Sequence, residues 1–401
     1  MPTFTADWVL PIVDEPIARG FVTVDGDRIA AVGGESPGEA NDLGRVAILP
    51  ALVNAHTHLE LSYLYGRVPP GPSFHSWVSA LMAVRRQYPD PEAAAIVDAA
   101  RAAIGEARRC GTGLVGDISN TLITVPLLRD SSLPAQVFYE LLGFNVDDPG
   151  ARVAAARRRA DDLAGGDVQV SLAPHAPYSV APSLFTAIRT DLDTQSRPVT
   201  SVHLGESPDE VEFVRSASGP IREMLEGLGV WTDAWQAHLT SGKSPVNYLL
   251  DLGFLDPCVM VVHGVHFDGD DLSRLATLGV TIASCPRSNR YVGVGDPPLE
   301  AFYAMDVDVA FGTDSLASVA DLNLFSELRE ARRLAPRVPA RRLLESATLV
   351  GARAIGFGES FGSLEPGKRS SLIAVRIPEG VNDVEEYLVG GIEPEAVSWV
   401  S

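Results

Sequence analysis

The chain has 401 residues, 46% of them hydrophobic and 21% charged, a composition that belongs to a folded globular protein and excludes a disordered or fibrous one. Thirty-two basic against 52 acidic residues leave a formal charge of −20, which repels phosphate backbones and anionic headgroups and argues against nucleic acid as a partner. Apolar stretches such as Val46 to Ala55 stop at about ten residues, far short of the roughly 20 that a membrane span needs.

The N-terminus lacks a basic leader, and Asp7 and Asp14 interrupt it, so a cytoplasmic protein without a membrane partner is expected. Phe21 to Gly33 reads as two short strands around an Asp-Gly turn. Eight β-branched or apolar runs that end in polar residues then follow. They are Ala47 to His56, Gly113 to Asp117, Ala135 to Glu140, Val168 to His175, Val199 to His203, Cys258 to His263, Val280 to Cys285 and Val309 to Asp314. Several are continuously apolar, as expected for strands buried on both faces of a parallel sheet. Helical stretches lie between most of them, including Glu92 to Arg109, Ala151 to Leu163, Glu210 to Leu228 and Leu322 to Leu334.

Eight strands alternating with helices predict an α/β fold, a (β/α)8 barrel over residues 47–359 with its reactive groups at the carboxyl ends of the strands. Ser370 to Val375 is strand-like as well, and residues 1–46 and 360–401 are expected to meet in a small β-sandwich. Cys110, Cys258 and Cys285 form no CxxC pair, so they read as small buried hydrophobes rather than as a disulfide or thiolate-metal framework.

Of eight histidines, six (His56, His58, His175, His203, His263 and His266) fall at or just beyond a proposed strand end, while His75 and His238 lie in helical or loop segments. In His56-Thr57-His58 the two imidazoles share one side of a terminating strand, because side-chain direction repeats every two residues. With His203 and Asp314 they make a nitrogen-rich, one-carboxylate shell with room for water. That is the donor set of one catalytic divalent ion, zinc in the first place and iron as the alternative. Such an ion lowers the pKa of water from about 15.7 to around 7, worth roughly 12 kcal/mol of hydroxide formation.

Asp314 is placed to take the water's proton. Glu206, three residues after His203, is placed to deliver one to a ring nitrogen, where attack on an aromatic amidine carbon pushes charge. His263 is the natural second acid/base group, with His266, deeper in the loop, as its competitor. Only Lys243 and Lys368 are present, neither in a proposed strand, so a bridging carbamylated lysine is not expected. His175 ends the fourth strand instead, which favours one metal. Glu140 is the one carboxylate that leaves room for a second.

The segments PALVNAHTHLE, APHAPYS, HLGESPDEVEF, HGVHFD, CPRSN and GTDS, in this order over nearly the whole chain, resemble the amidohydrolase superfamily and its mononuclear deaminase branch. The terminal GSLEPGKRSSLIAV resembles that family's small β domain. The resemblance implies His56, His58, His203 and Asp314 as metal ligands, Glu206 as proton donor, His263 as the strand-six catalytic histidine and His175 as a substrate contact. HTHLELS and PRSNRYVGVGDPPL are most similar to aminodeoxyfutalosine deaminases of the futalosine route to menaquinone, although Arg290 and Tyr291 replace what adenosine-type relatives usually carry after the Ser-Asn pair.

That likeness implies a nucleoside-like small molecule ending in a benzoate carboxylate, whose charge calls for a local guanidinium. Arg85, Arg287 and Arg290 are the candidates, with Asn289 placed beside Arg290 in the substrate site. Deaminases of adenosine, S-adenosylhomocysteine or guanine and chlorotriazine hydrolases are competing readings, as is a non-catalytic scaffold. Leu59 to Cys110, with Tyr63, Tyr65, Phe74 and Trp77, is long enough to cover the site. A homo-oligomer is left open.

Overall fold

A computed structural model describes residues 1–36, 38–71, 73–232, 235, 239 and 242–400. The two ends of the chain build two packed sheets. Thr3–Thr5, Phe21–Asp25, Arg28–Gly33 and Asn41–Asp42 form one, its hairpin turning at Gly26, where φ is +60°. In the other, Val46–Pro50 runs parallel to Trp8–Val9 and antiparallel to Leu372–Arg376, with Leu49 opposite Ile373. Phe4, Val22, Val24 and Ile29 of the first sheet share an apolar cluster with Ile48, Leu372 and Ala374 of the second.

Two boundaries differ from expectation. Ala47 to His56 is not one strand but two, since Val46–Pro50 belongs to the terminal sheet and only Leu52–Thr57 to the barrel. Pro50 offers no N–H to prolong the ladder, and the chain changes sheets just after it. At the other end, Val384–Val389 packs against the helices Leu324–Leu334 and Ala340–Glu345, so residues 360–401 serve both parts of the molecule.

The barrel strands are β1 (Leu52–Thr57), β2 (Thr112–Ser119), β3 (Ala135–Leu141), β4 (Val168–Pro174), β5 (Thr200–Leu204), β6 (Val259–His263), β7 (Thr281–Ser284) and β8 (Val309–Phe311). They form two parallel four-strand arcs, β4-β3-β2-β1 and β5-β6-β7-β8. At one seam the His203 N–H donates to the His175 carbonyl at 2.9 Å, and at the other the Asp314 N–H donates to the His56 carbonyl at 3.0 Å. The backbones that close the barrel therefore belong to residues whose side chains sit at its mouth.

Inside, Val53, Ala55, Phe138, Met260, Val262 and Ala283 pack over a floor of Ile355, Phe357 and Phe361. Strict alternation from Val53 and Ala55 would turn His56 outward. The β1–β2 register slips between Asn54 and Thr57, which re-aims the end of the strand. The expected helix Glu210 to Leu228 is broken into α2 (Pro208–Ser216) and Pro220–Gly227, after α1 (Phe74–Arg85) earlier in the chain. Ala217 at φ +53° and the Gly219-Pro220 pair end the first turn run and start the next. Among the described residues no helix is long and apolar enough to cross a membrane.

Candidate active site

Five of the strand-end histidines converge. Ring centroids lie 4.9 Å apart for His56 and His58, 5.0 Å for His56 and His203, 5.4 Å for His203 and His263, and 5.0 Å for His175 and His203. One nitrogen each of His56, His58 and His203 lies within 4.8 Å of the others. Asp314 Oδ1 adds a fourth donor, 3.9 Å from His56 Nε2 and 3.5 Å from His58 Nε2. Asp314 and His263 are also two of the few non-glycine residues at positive φ, +60° and +78°. The backbone is thus held in a sparsely populated region where both side chains must turn into the mouth.

Burial pushes His56, His58 and His263 well below the usual imidazole range, with the neighbouring rings adding to it, and takes His175 and His203 down to about 4. Neutral rings keep lone pairs free for a cation. His56 is fully buried and neither of its ring nitrogens has a partner among the described groups. An unsatisfied buried polar atom costs about 1–3 kcal/mol, so a ring left with two such atoms fits a site built to receive an ion. The donor set of three imidazoles and one carboxylate suits zinc or iron.

Supporting groups aim each donor. His203 Nδ1 lies 3.1 Å from the His175 carbonyl oxygen and 3.5 Å from Glu140 Oε1, so an N–H there leaves Nε2 as the lone pair. Ser288 Oγ donates to Asp314 Oδ2 at 2.5 Å, reserving Oδ1 for the cluster. Glu140, His175 and His203 also approach one another within 4.8 Å. Their atoms are engaged internally, however: Glu140 Oε2 accepts from Asn120 Nδ2 at 2.8 Å, and His175 Nδ1 meets Ser179 Oγ at 2.6 Å. This favours one ion over two.

Glu206 Oε1 stands 3.5 Å from His263 Nε2, and burial, reinforced by the Asp314 charge, holds the Glu206 carboxyl well above its usual range. Glu210, in α2, accepts from the N–H groups of Gly205 and Glu206, each at 2.9 Å, and pins the loop that carries Glu206. Both groups open on a cavity of about 430 Å³ that His58, His175, His203, Asp314, Phe74 and Trp77 also line. Leu59 to Cys110 lines the cavity through Leu61 and α1, while Tyr65 is turned to solvent.

Three candidate substrate contacts are held by other partners in the structure. Asn289 does not line this cavity: it lies fully buried in α3 (Pro286–Tyr291), with Oδ1 2.8 Å from His263 Nδ1. Arg290 points to the surface, where Asp296 holds it at 2.8 Å and Glu330 also pairs with it, so it cannot reach the site. Arg287 is committed to Glu327 at 2.6 Å and Asp321 at 2.8 Å. Arg85 alone of the three lines the cavity.

His266 turns away, its Nε2 3.0 Å from the Val294 carbonyl oxygen, and His238 lies outside the described residues. Cys285 is fully buried in the barrel interior, its thiol pushed well above the usual range by burial. Sequence reasoning did not single out Ser288, Asn120 or Glu210. Only Glu210 left a local signal, the Ser207-x-x-Glu210 spacing of a helix start, and its side chain reaches past Ser207 to the two preceding amides.

A profile of the amidohydrolase family matches residues 47–391. The aminodeoxyfutalosine deaminase of Deinococcus radiodurans is 31% identical over 351 residues, covering 84% of this chain and 81% of its own. The 5-methylthioadenosine/S-adenosylhomocysteine deaminase of Moorella thermoacetica is 30% identical over 403 residues, covering 95% and 88%. The crystal structure of an adenosine deaminase from Xanthomonas campestris with bound zinc superposes with a TM-score of 0.84 at 26% identity, covering 98% and 90%. A family match over most of the barrel, with its strand-end donors gathered at one mouth, establishes that the chain belongs to the amidohydrolase family and is a hydrolase of carbon–nitrogen bonds.

Proposed function

We propose that the chain is a metal-dependent deaminase of adenine nucleosides, and that its substrate is 6-amino-6-deoxyfutalosine, which it converts to futalosine on the route to menaquinone. The observation that carries this reading is the meeting of His56, His58, His203 and Asp314 with Glu206 and His263 in one cavity. Held by the first four residues, a divalent ion, zinc or alternatively iron, would supply Lewis-acid activation of water at neutral pH.

The side chains divide the proton work. Glu206, whose protonated form burial favours, donates from a carboxyl oxygen to the purine ring nitrogen next to the reacting carbon, so that charge does not build up there as water adds. The Asp314 carboxylate, oriented by the Ser288 hydroxyl on Oδ2, accepts a proton from the incoming water. Asp314 then passes it to the departing amine. His263 Nε2, its lone pair left free by the Asn289 contact at Nδ1, accepts from the water's other O–H as the oxygen bonds to carbon, and His175 contacts the nucleoside. As ammonia leaves, the hydroxyl on the reacting carbon returns its proton to Glu206, so that one water is consumed, the acid is restored and the amino-purine becomes an oxo-purine.

The likeness to the Moorella enzyme supports a second reading, in which 5-methylthioadenosine or S-adenosylhomocysteine is the substrate. A panel of these nucleosides, adenosine and aminodeoxyfutalosine, assayed for ammonia and for loss of the adenine chromophore on metal-quantified protein, separates the two. Highest kcat/KM on aminodeoxyfutalosine is expected. No ammonia from any adenine nucleoside, with metal present, refutes the deaminase reading, and so does purified protein that holds no zinc or iron.

A further inference from the structure

The cavity does not end at the catalytic groups. A second chamber of about 470 Å³ adjoins it and shares the wall formed by Leu61, Met82, Arg85, Asn120 and Leu142. Arg85, in the last turn of α1, thus lines both spaces. Beyond it the second chamber is walled by Tyr63 and Tyr88, whose ring centroids are 5.0 Å apart.

Arg85 differs from the other two candidate arginines in what it holds. It donates to Asn120 Oδ1 at 3.3 Å, and among the described residues it has no carboxylate within ion-pair distance. The nearby acids are already engaged. Glu60 accepts from Ser119 Oγ at 2.6 Å, Thr121 Oγ1 at 2.7 Å and the Asn120 N–H at 2.9 Å, while Glu140 accepts from Asn120 Nδ2 at 2.8 Å. A guanidinium carries five donors, and most of these remain unspent beside a cavity. In a chain of charge −20, an anionic ligand meets long-range repulsion that a local cation must offset.

We infer that Arg85 anchors a substrate carboxylate at the wall the two spaces share, the adenine seated at the catalytic groups and a flat apolar extension of the sugar running along that wall, with Tyr63 and Tyr88 beyond it. This rests on the deaminase reading of the main cavity and adds to it the residue that selects among adenine nucleosides. Arg85 is a specificity residue rather than a catalytic one. A bidentate, charge-assisted contact explains why an arginine serves here and a lysine would not serve equally well.

The test compares kcat/KM for aminodeoxyfutalosine, which carries an aryl carboxylate, with that for adenosine, which carries none, in the wild type and in Arg85→Met and Arg85→Gln. Both variants keep the stem, and Gln also keeps a donor for Asn120, so at least one is expected to fold. A lost hydrogen bond to a charged group is worth about 10- to 150-fold. The ratio of the two kcat/KM values should therefore fall by about thirtyfold in each folded variant, through KM on the carboxylated substrate. A ratio unchanged within threefold overturns the inference while leaving the deaminase reading intact, whether Arg85 grips the sugar of both substrates or neither. Wild-type protein that deaminates no adenine nucleoside overturns both.

Discussion

Replacing Asn289 separates two roles for a residue that the sequence places beside the substrate and the structure places behind His263. Its Oδ1 lies 2.8 Å from His263 Nδ1, and the residue is fully buried. With Nδ1–H donating to that oxygen, Nε2 keeps its lone pair toward Glu206, 3.5 Å away. Asn289→Ala leaves a buried ring N–H without an acceptor, at a cost of about 1–3 kcal/mol. At 1.36 kcal/mol per factor of ten, that is about 5- to 150-fold in kcat if the ring turns or changes tautomer to relieve it. Steady-state deamination on metal-quantified protein should show this loss in kcat, with KM within about threefold. Asn289→Asp sharpens the test: burial holds His263 well below the usual imidazole range, and a carboxylate at position 289 favours the charged ring. The acid limb of the kcat profile should then move to higher pH. An Asn289→Ala enzyme with unchanged kcat and raised KM would restore the direct substrate contact and refute the positioning argument.

Glu210→Gln turns an amide NH₂ toward one of the two N–H groups that the carboxylate accepts, and kcat should fall about tenfold at unchanged metal content; equal kcat would show that α2 does not hold Glu206 in place. A Cβ added at Gly312 comes within 2.6 Å of the His56 carbonyl oxygen and 2.7 Å of its Cβ. Gly312→Ala should therefore weaken metal retention at least about tenfold in a chelator competition, whereas full retention would mean that β8 does not set His56. Arg287→Met strands the fully buried Glu327 and should cost about 3–5 kcal/mol in denaturant unfolding. Arg290→Ala, at an exposed pair, should cost no more than about 1 kcal/mol and leave the ratio of carboxylated to neutral substrate activity unchanged. A changed ratio would put Arg290 back in the site.

Much of the barrel was legible because its signals are local. Continuous apolar runs mark strands buried on both faces, and polar residues at or just past their ends mark the mouth, as at Val259–His263 and at Val309–Phe311, which Thr313 and Asp314 follow. The break at Pro50 and the interruption between α2 and Pro220–Gly227 are written in the sequence as a proline and a Gly-Pro pair, but the flanking residues suit the longer elements equally well, so these local signals do not stand out.

The sequence by itself determined which residue types arrive at the strand ends: three imidazoles and an aspartate for an ion, a glutamate and a further histidine for protons. Only the tertiary structure decided their aim and their company. A register slip in β1 turns His56 inward, positive φ turns His263 and Asp314, and Ser288 from α3, Glu210 from α2 and Asn120 from the loop after β2 reach the site. It also sorted three similar arginines, two spent on buried or surface carboxylates and one left facing a cavity. The physical reason is that residue identity and spacing set chemistry and periodicity along the chain, whereas hydrogen-bond partners and ion pairs depend on which distant segments the barrel brings within about 3 Å.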